Sequence, residues 1–478
     1  MVEGLKSKTV SGVLWSAVER FSLQGVQFLI NIIMARILLP ADYGMIGMLV
    51  VFLQISQLFI DGGFANALIQ RKDRTEIDFS TVFYFNILVG ALFYFLIFVS
   101  APLISTFYNI PDLTNIARAV GLNLIISAFS AIHRVKLTIE VDFKTLSKIS
   151  LIAAVLSGII GVGLAYYGIG VWALVFQSLL NSLLLTLLSY YFCSWKPLLI
   201  FSIHSFKKLF SFGSKLLISN LMHAVYSNLY TIVIGRRFSA IDLGYYTRAE
   251  QFAIFPSANL NAVISRVTFP ILSSIQDDDE RLTAAYRKYI RLSSYLIFPL
   301  MVGLAVLAEP IIVLLLTEKW IGVVVLLQIL CFDWIFDHLS GINLNLLYVK
   351  GRSDFALKLE IVKKTIATII LFISIPFGLI GMCYGRVLYS LIATYLNTYY
   401  TNKLIGLSFM KQMKDIIPYF VLSLIMGGLC LLFISFVNNL ILKVVLGVLV
   451  GFVLYLSLSI IFKIKSLYEL INLVKNGK

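Results

Sequence analysis

Arg248 and Arg266 stand 18 positions apart, five turns of an α-helix, so a helix through both presents them in one direction about 27 Å apart along its axis. Gln251 and Asn259 fall close to the same face. Guanidinium groups pair with phosphate or carboxylate oxygens and amides serve sugar hydroxyls, so this stripe suits an anionic, hydroxylated ligand; the alternative is an interfacial anchor at each end. Near the N-terminus Arg20, Gln24, Gln27 and Asn31 follow spacings of four, three and four, one face of a helix, with Glu19 beside Arg20. That stripe reads either as a cavity lining or, at its Glu19–Arg20 end, as a snorkelling arginine with a local ion pair.

A second set of residues is acidic. Asp61 follows Gln54 and Gln57 at helical spacing, and it reads as the ion-pair partner of one of these arginines or, with Gly62 and Gly63, as a helix irregularity. Asp333 and Asp337 are four apart, with Ser340 continuing their face and His338 adjacent. Two carboxylates in hydrocarbon mark a proton or cation pathway; a static salt bridge to Arg386 is the alternative. Cofactor and metal signals are absent: there is no Walker loop, GxSxG or HExxH, the acidic run Asp277–Glu280 lacks the spacing of a calcium loop, and Cys193, Cys331, Cys383 and Cys430 show no CxxC. No catalytic residue is assigned, and the chain is not read as an enzyme.

These side chains must be carried by membrane helices. Of the 478 residues 59% are apolar and 13% charged, and the mean hydropathy is +0.92; soluble domains carry about 25% charged residues. Apolar windows of spanning length recur from about residue 11 to 462 and read as fourteen spans, among them 11–38, 43–69, 210–235, 243–272, 322–349, 356–378, 380–402 and 440–462. The first is a helix and not a cleaved signal. The net charge of +15 is not a nucleic-acid signal, because the basic clusters RKDR at 71–74, HRVK at 133–136, RKYIR at 287–291 and KQMK at 411–414 fall on alternate connections. The positive-inside rule then places both termini in the cytoplasm, with the chain in an inner membrane and its basic side facing anionic lipids.

The chain also repeats itself. ARILLPADYG at 35–44 is echoed by GRRFSAIDLG at 235–244, with Arg36 opposite Arg236, Asp42 opposite Asp242 and Gly44 opposite Gly244. Asn220, Ala224, Ser227 and Thr231 stand where the first lobe has Arg20, Gln24, Gln27 and Asn31. The expectation is an all-α membrane protein with an N-lobe over 1–200 (helices 1–6), a C-lobe over 201–408 (helices 7–12), and two added helices and a cytoplasmic tail over 409–478. An even number of helices per repeat orients both lobes alike, about a pseudo-two-fold axis along the membrane normal. Each echoed turn reads as a rim turn, its arginine an anchor or turn cap. Transport by alternating access is the leading reading.

RILLPADYGMIGM, DGGFANALIQRKD and LGYYTRAEQFAIFPSANL, in this order and spacing, resemble the polysaccharide-transport branch of the multidrug/oligosaccharidyl-lipid/polysaccharide exporter superfamily, over nearly the whole chain. The resemblance implies a Wzx-type flippase that moves undecaprenyl-pyrophosphate-linked oligosaccharide to the periplasmic leaflet for O-antigen, capsule or exopolysaccharide assembly. It also implies polymerase and chain-length partners, and transport uncoupled or driven by a proton or sodium gradient. On that reading Arg20, Arg248 and Arg266 neutralise the pyrophosphate. A drug or cation antiporter of the same superfamily is the alternative, for which Glu19 and the Asp333/Asp337 pair speak. A membrane polysaccharide polymerase would need a larger outer loop than this chain has.

Overall fold

The computed structural model describes residues 22–476. Among them the chain is helical throughout, with no strand. Among the described residues eleven stretches are long and apolar enough to cross a membrane, as in a multi-pass membrane protein. The expected spans do not map one to one. Those near 356–378 and 380–402 form one stretch, Ser353–Ile405, interrupted by a tight turn at Ile375–Phe377 and by Gly378 at φ 76. The first span is described only as helix α1, Ser22–Ile37, and the polar residues on α10, Ala240–Ser274, keep it outside that measure.

The helix starts explain the echoed turns. Pro40 opens α2 (Pro40–Asp61) with φ preset for a helix, and the Asp42 carboxylate accepts the Leu39 backbone N–H at 2.8 Å. At the start of α10, Asp242 accepts the Ser239 N–H at 3.1 Å while Ser239 Oγ accepts from the Asp242 N–H at 3.1 Å. The Ser239 cap contributes about 1 kcal/mol. The two starts also touch. A Cβ on Gly44 would collide with the carbonyl of Ala240, and one on Gly244 with the carbonyl of Pro40, so the contact is reciprocal and made of backbone.

Packing divides the chain into two compact units, Met1–Gly244 and Tyr245–Lys478. In the first, α2 continues past a break into α3 (Phe64–Gln70), which packs with α4 (Glu76–Tyr108) and α5 (Leu113–Ile139) around a core containing Phe64, Phe79, Phe83 and Ile132, while α6 (Phe143–Tyr166) and α7 (Val171–Phe192) meet α5 in a smaller cluster of Leu137, Leu146 and Ile149. Leu209 of α8 (Ile203–Ser227) belongs to the Phe64 core, and Gly213 lies backbone to backbone against Gly62 and Gly63. In lipid, helices gain nothing by hiding apolar groups from water, so such close approach is what holds them. The segment that the repeat assigns to the second lobe from residue 201 thus packs with the first unit up to Gly244. Sequence correspondence records a duplication, whereas packing records contacts.

In the second unit α11 (Asp279–Val306) packs on α17 (Phe409–Ser435), and α16 (Gly378–Ile405) on α13 (Gly322–Trp334) and α14 (Asp337–Val349). Tyr455 of α18 (Leu440–Ile461) donates to the Tyr295 carbonyl at 2.9 Å, and Ser466 of α19 (Lys465–Asn476) bonds the Tyr419 hydroxyl at 2.7 Å.

Besides Ser353–Ile405, three of the apolar stretches are broken inside: after Asp61 at Gly62 and Gly63 (φ 50 and 71), at Asn228 between α8 and α9 (Leu229–Arg237), and at Ile335–Phe336 between α13 and α14. Irregular backbone at membrane depth persists only where protein or a wet cavity satisfies its polar groups.

Candidate functional site

Each break stands beside a polar side chain. In the first unit Asn228 Nδ2 donates to Gln54 Oε1 at 2.8 Å. One turn along α2, Gln57 Nε2 donates to Asp61 Oδ1 at 3.1 Å, and Ser127 Oγ of α5 donates to Gln57 Oε1 at 3.1 Å. Asn123, one turn from Ser127, donates to Ser178 Oγ of α7 at 3.0 Å. The result is a set of amides and hydroxyls on α2, α5, α7 and the break between α8 and α9, with one carboxylate. Gln54 and Asp61 are exposed, and on a membrane helix exposed groups of this kind belong beside water. No ion pair to Asp61 occurs among the described residues; its partner is the Gln57 amide. The sequence singled out Gln54, Gln57 and Asp61 but missed Asn123, Ser127, Ser178 and Asn228.

The α1 stripe behaves differently. Asn31 Nδ2 turns back to the Gln27 carbonyl at 2.8 Å, Gln27 is exposed and Gln24 half-buried. Glu19 and Arg20 lie outside the described residues.

In the second unit α10 carries Arg248, Gln251, Asn259 and Arg266 on one unbroken helix. Their surroundings differ. Arg248 is 7% exposed, donates to Gln251 Oε1 at 2.5 Å and sits 6.0 Å from the Trp320 ring centre. Arg266 is exposed, and the Asn259 amide bonds the Phe255 carbonyl of its own helix at 2.8 Å.

The acidic residues separate into two sites. Arg386 Nε donates to Asp333 Oδ2 at 2.8 Å, and its Nη1 reaches Glu250 Oε1 at 2.5 Å and the Tyr246 hydroxyl. One guanidinium thus faces two carboxylates. Asp337, at the first position of α14, instead accepts from Asn261 Nδ2 at 3.1 Å. Carbonyls at the break are satisfied as well, Trp334 by Ser257 Oγ at 3.0 Å and Asp333 by Ser390 Oγ at 2.7 Å. His338 bonds Ser294 Oγ at 2.9 Å. Glu250, Tyr246 and Asn261 escaped the sequence reading, although Tyr246 and Glu250 stand at i, i+4 on the helix already singled out. No group of three or more His, Cys, Asp or Glu that could hold a metal occurs among the described residues.

Comparison with known proteins agrees with this geometry. The sequence profile of a family described as "Polysaccharide biosynthesis protein" matches residues 33–325. The lipopolysaccharide biosynthesis protein WzxC of Escherichia coli is 28% identical over 431 residues, 88% of this chain and 86% of that one. The teichuronic acid biosynthesis protein TuaB of Bacillus subtilis is 28% identical over 354 residues, 74% of this chain and 73% of its own. Among solved structures, the lipid II flippase MurJ in an inward closed conformation superposes with a TM-score of 0.74 at 16% identity, covering 94% of this chain and 98% of that one. An inward-facing multidrug transporter of the MATE family gives a TM-score of 0.62 at 17% identity, covering 82% of this chain and 98% of its own. The fold is that of these transporters, and the chain belongs to the polysaccharide biosynthesis protein family.

Proposed function

We propose that this protein is a flippase that moves an undecaprenyl-diphosphate-linked oligosaccharide from the cytoplasmic to the periplasmic leaflet of the bacterial inner membrane by alternating access, with both termini cytoplasmic. The observation that carries this reading is the set of amides and hydroxyls beside the broken helices of the first unit: it suits glycan hydroxyls and would be costly against lipid. Transfer of this kind needs no covalent step, only differential binding of the substrate by two conformations. The names of WzxC, TuaB and MurJ support a lipid-linked glycan as cargo, and polymerase and chain-length proteins are its natural recipients. Arg248 and Arg266, with Arg20, supply positive charge for the diphosphate; Gln24, Gln27, Asn31, Gln251 and Asn259 serve sugar hydroxyls.

The tests are direct. Arg248→Ala and Arg266→Ala abolish surface-glycan export while the protein still accumulates in the membrane; normal export by both variants refutes their role as ligands. For coupling, Asp337 is the better candidate of the acidic pair, because Asp333 is committed to Arg386 whereas Asp337 has an amide partner. Flipping in proteoliposomes that is indifferent to proton and sodium gradients, and to Asp337→Asn, removes the coupling claim.

A further inference from the structure

We propose that Arg134, on the face of α5 that carries Asn123 and Ser127, receives the phosphate-bearing headgroup of the lipid-linked substrate as it enters. This rests on the flippase reading and assigns the substrate's charged end to a place in the first unit. Counted at 100° per residue, Asn123, Ser127, Ser130 and Arg134 lie within about 60° of one another on α5. The direction of that face is fixed by its bonds: Asn123 reaches Ser178 on α7 and Ser127 reaches Gln57 on α2. Arg134 therefore continues the amide and hydroxyl set toward the Ile139 end of α5, about a turn and a half from where that helix ends. On the topology above this is the cytoplasmic end, the leaflet from which a lipid-linked precursor loads.

The charge environment fits. Arg134 is exposed, and its guanidinium makes no hydrogen bond, ion pair or ring contact among the described residues. Two basic groups on the same end are committed: Lys136 to Glu76 at 2.8 Å, and Lys208 to Asp73 at 3.0 Å. Asp61 acts on Arg134 through space while its own hydrogen bond goes to Gln57. The order along the face is then a charge for a phosphate, followed by hydroxyls and amides for a glycan. A planar guanidinium with all its donors open suits two or more phosphate oxygens. The same chemistry would serve a bulk anionic phospholipid, so the test separates the two sources.

The experiment titrates the purified full-length protein in nanodiscs with undecaprenyl-diphosphate-linked disaccharide, and in a second arm with phosphatidylglycerol, and measures flipping of the first probe in proteoliposomes. Arg134→Gln is expected to raise the Kd for the diphosphate probe about tenfold or more, the factor that corresponds to about 1.4 kcal/mol, and Arg134→Lys by less. Asp61→Asn, which removes the competing negative charge, is expected to tighten binding. Phosphatidylglycerol affinity is expected to stay unchanged in all three variants. Wild-type affinity in Arg134→Gln, or an equal loss toward phosphatidylglycerol, overturns the proposal, as does unchanged or weaker binding in Asp61→Asn. If Arg134→Gln fails to accumulate, Arg134→Lys and Asp61→Asn decide it. A wild-type protein that flips no lipid-linked glycan defeats the flippase reading itself, whereas normal flipping by Arg134→Gln beside an active wild type defeats only this assignment.

Discussion

Replacing Arg386 with methionine tests the buried cluster of the second unit. The side chains of Arg386, Asp333 and Glu250 are 13%, 9% and 26% exposed, and the guanidinium is the sole cation within 4 Å of the two carboxylates among the described residues. Arg386→Met strands both acids, and breaking a buried pair by removing one partner costs about 3–5 kcal/mol. For units of more than 200 residues each kcal/mol moves Tm by about 2–4 °C, so the variant should melt about 6–20 °C lower. Asp333→Asn alone should cost less, since Arg386 keeps Glu250 and Tyr246. The double variant Arg386→Met/Asp333→Asn should recover part of the loss, because only Glu250 is then left unpaired. Melting of the detergent-purified protein, followed by the fluorescence of its tryptophans, measures all three. A Tm for Arg386→Met within about 2 °C of wild type, or a double variant worse than the sum of its parts, refutes the reasoning.

Three further outcomes follow from the same geometry. Gly63→Ala and Gly168→Ala both place a side chain at positive φ, a cost of about 1–2 kcal/mol, but a Cβ at Gly63 also meets the Gly213 backbone whereas Gly168 faces open space; Gly63→Ala should melt lower by the additional overpacking cost of about 1–3 kcal/mol. Ser239→Ala removes the cap of α10 and should cost about 1 kcal/mol, read as a Tm difference that Ser239→Thr, which keeps the hydroxyl, largely restores. Arg71 and Lys208 hold the exposed Asp73 carboxyl well below the usual carboxylate range. A lowered folded-state value means a contribution present above the ordinary carboxylate pKa of about 4 and lost as pH falls below it; Asp73→Asn should therefore be slightly less stable than wild type at neutral pH, converge with it in acid, and so show a flatter acid limb.

What the sequence made legible was whatever is local. Helix period gave the α10 stripe, turn chemistry gave Pro40 and Asp42, and the glycine pair after Asp61 marked a break that the backbone does make. What it hid was partnership at long range. Arg386 meets Glu250 across 136 positions, and Asn228 meets Gln54 across 174; no spacing rule links such pairs. Glu250 was concealed further by its neighbours, since Arg248 and Gln251 invited a reading of that stretch as a ligand face. Asn123, Ser127 and Arg134 do share one face in the sequence, but their stripe is diluted by apolar residues, and Arg134 was read as part of a topological signal.

The reciprocal contact of Gly44 with Ala240 and Gly244 with Pro40 contains no titratable group and no ion pair of its own. No single rotamer change can open such a seam, because what meets is main chain. Parting it means moving whole helix starts, so it behaves as an all-or-none element whose setting must be driven from elsewhere. To reverse a 99:1 preference for the joined form, a ligand must favour the parted one by about 5.5 kcal/mol. If this contact parts during transport, that figure is the scale of differential binding that a transported substrate would have to supply.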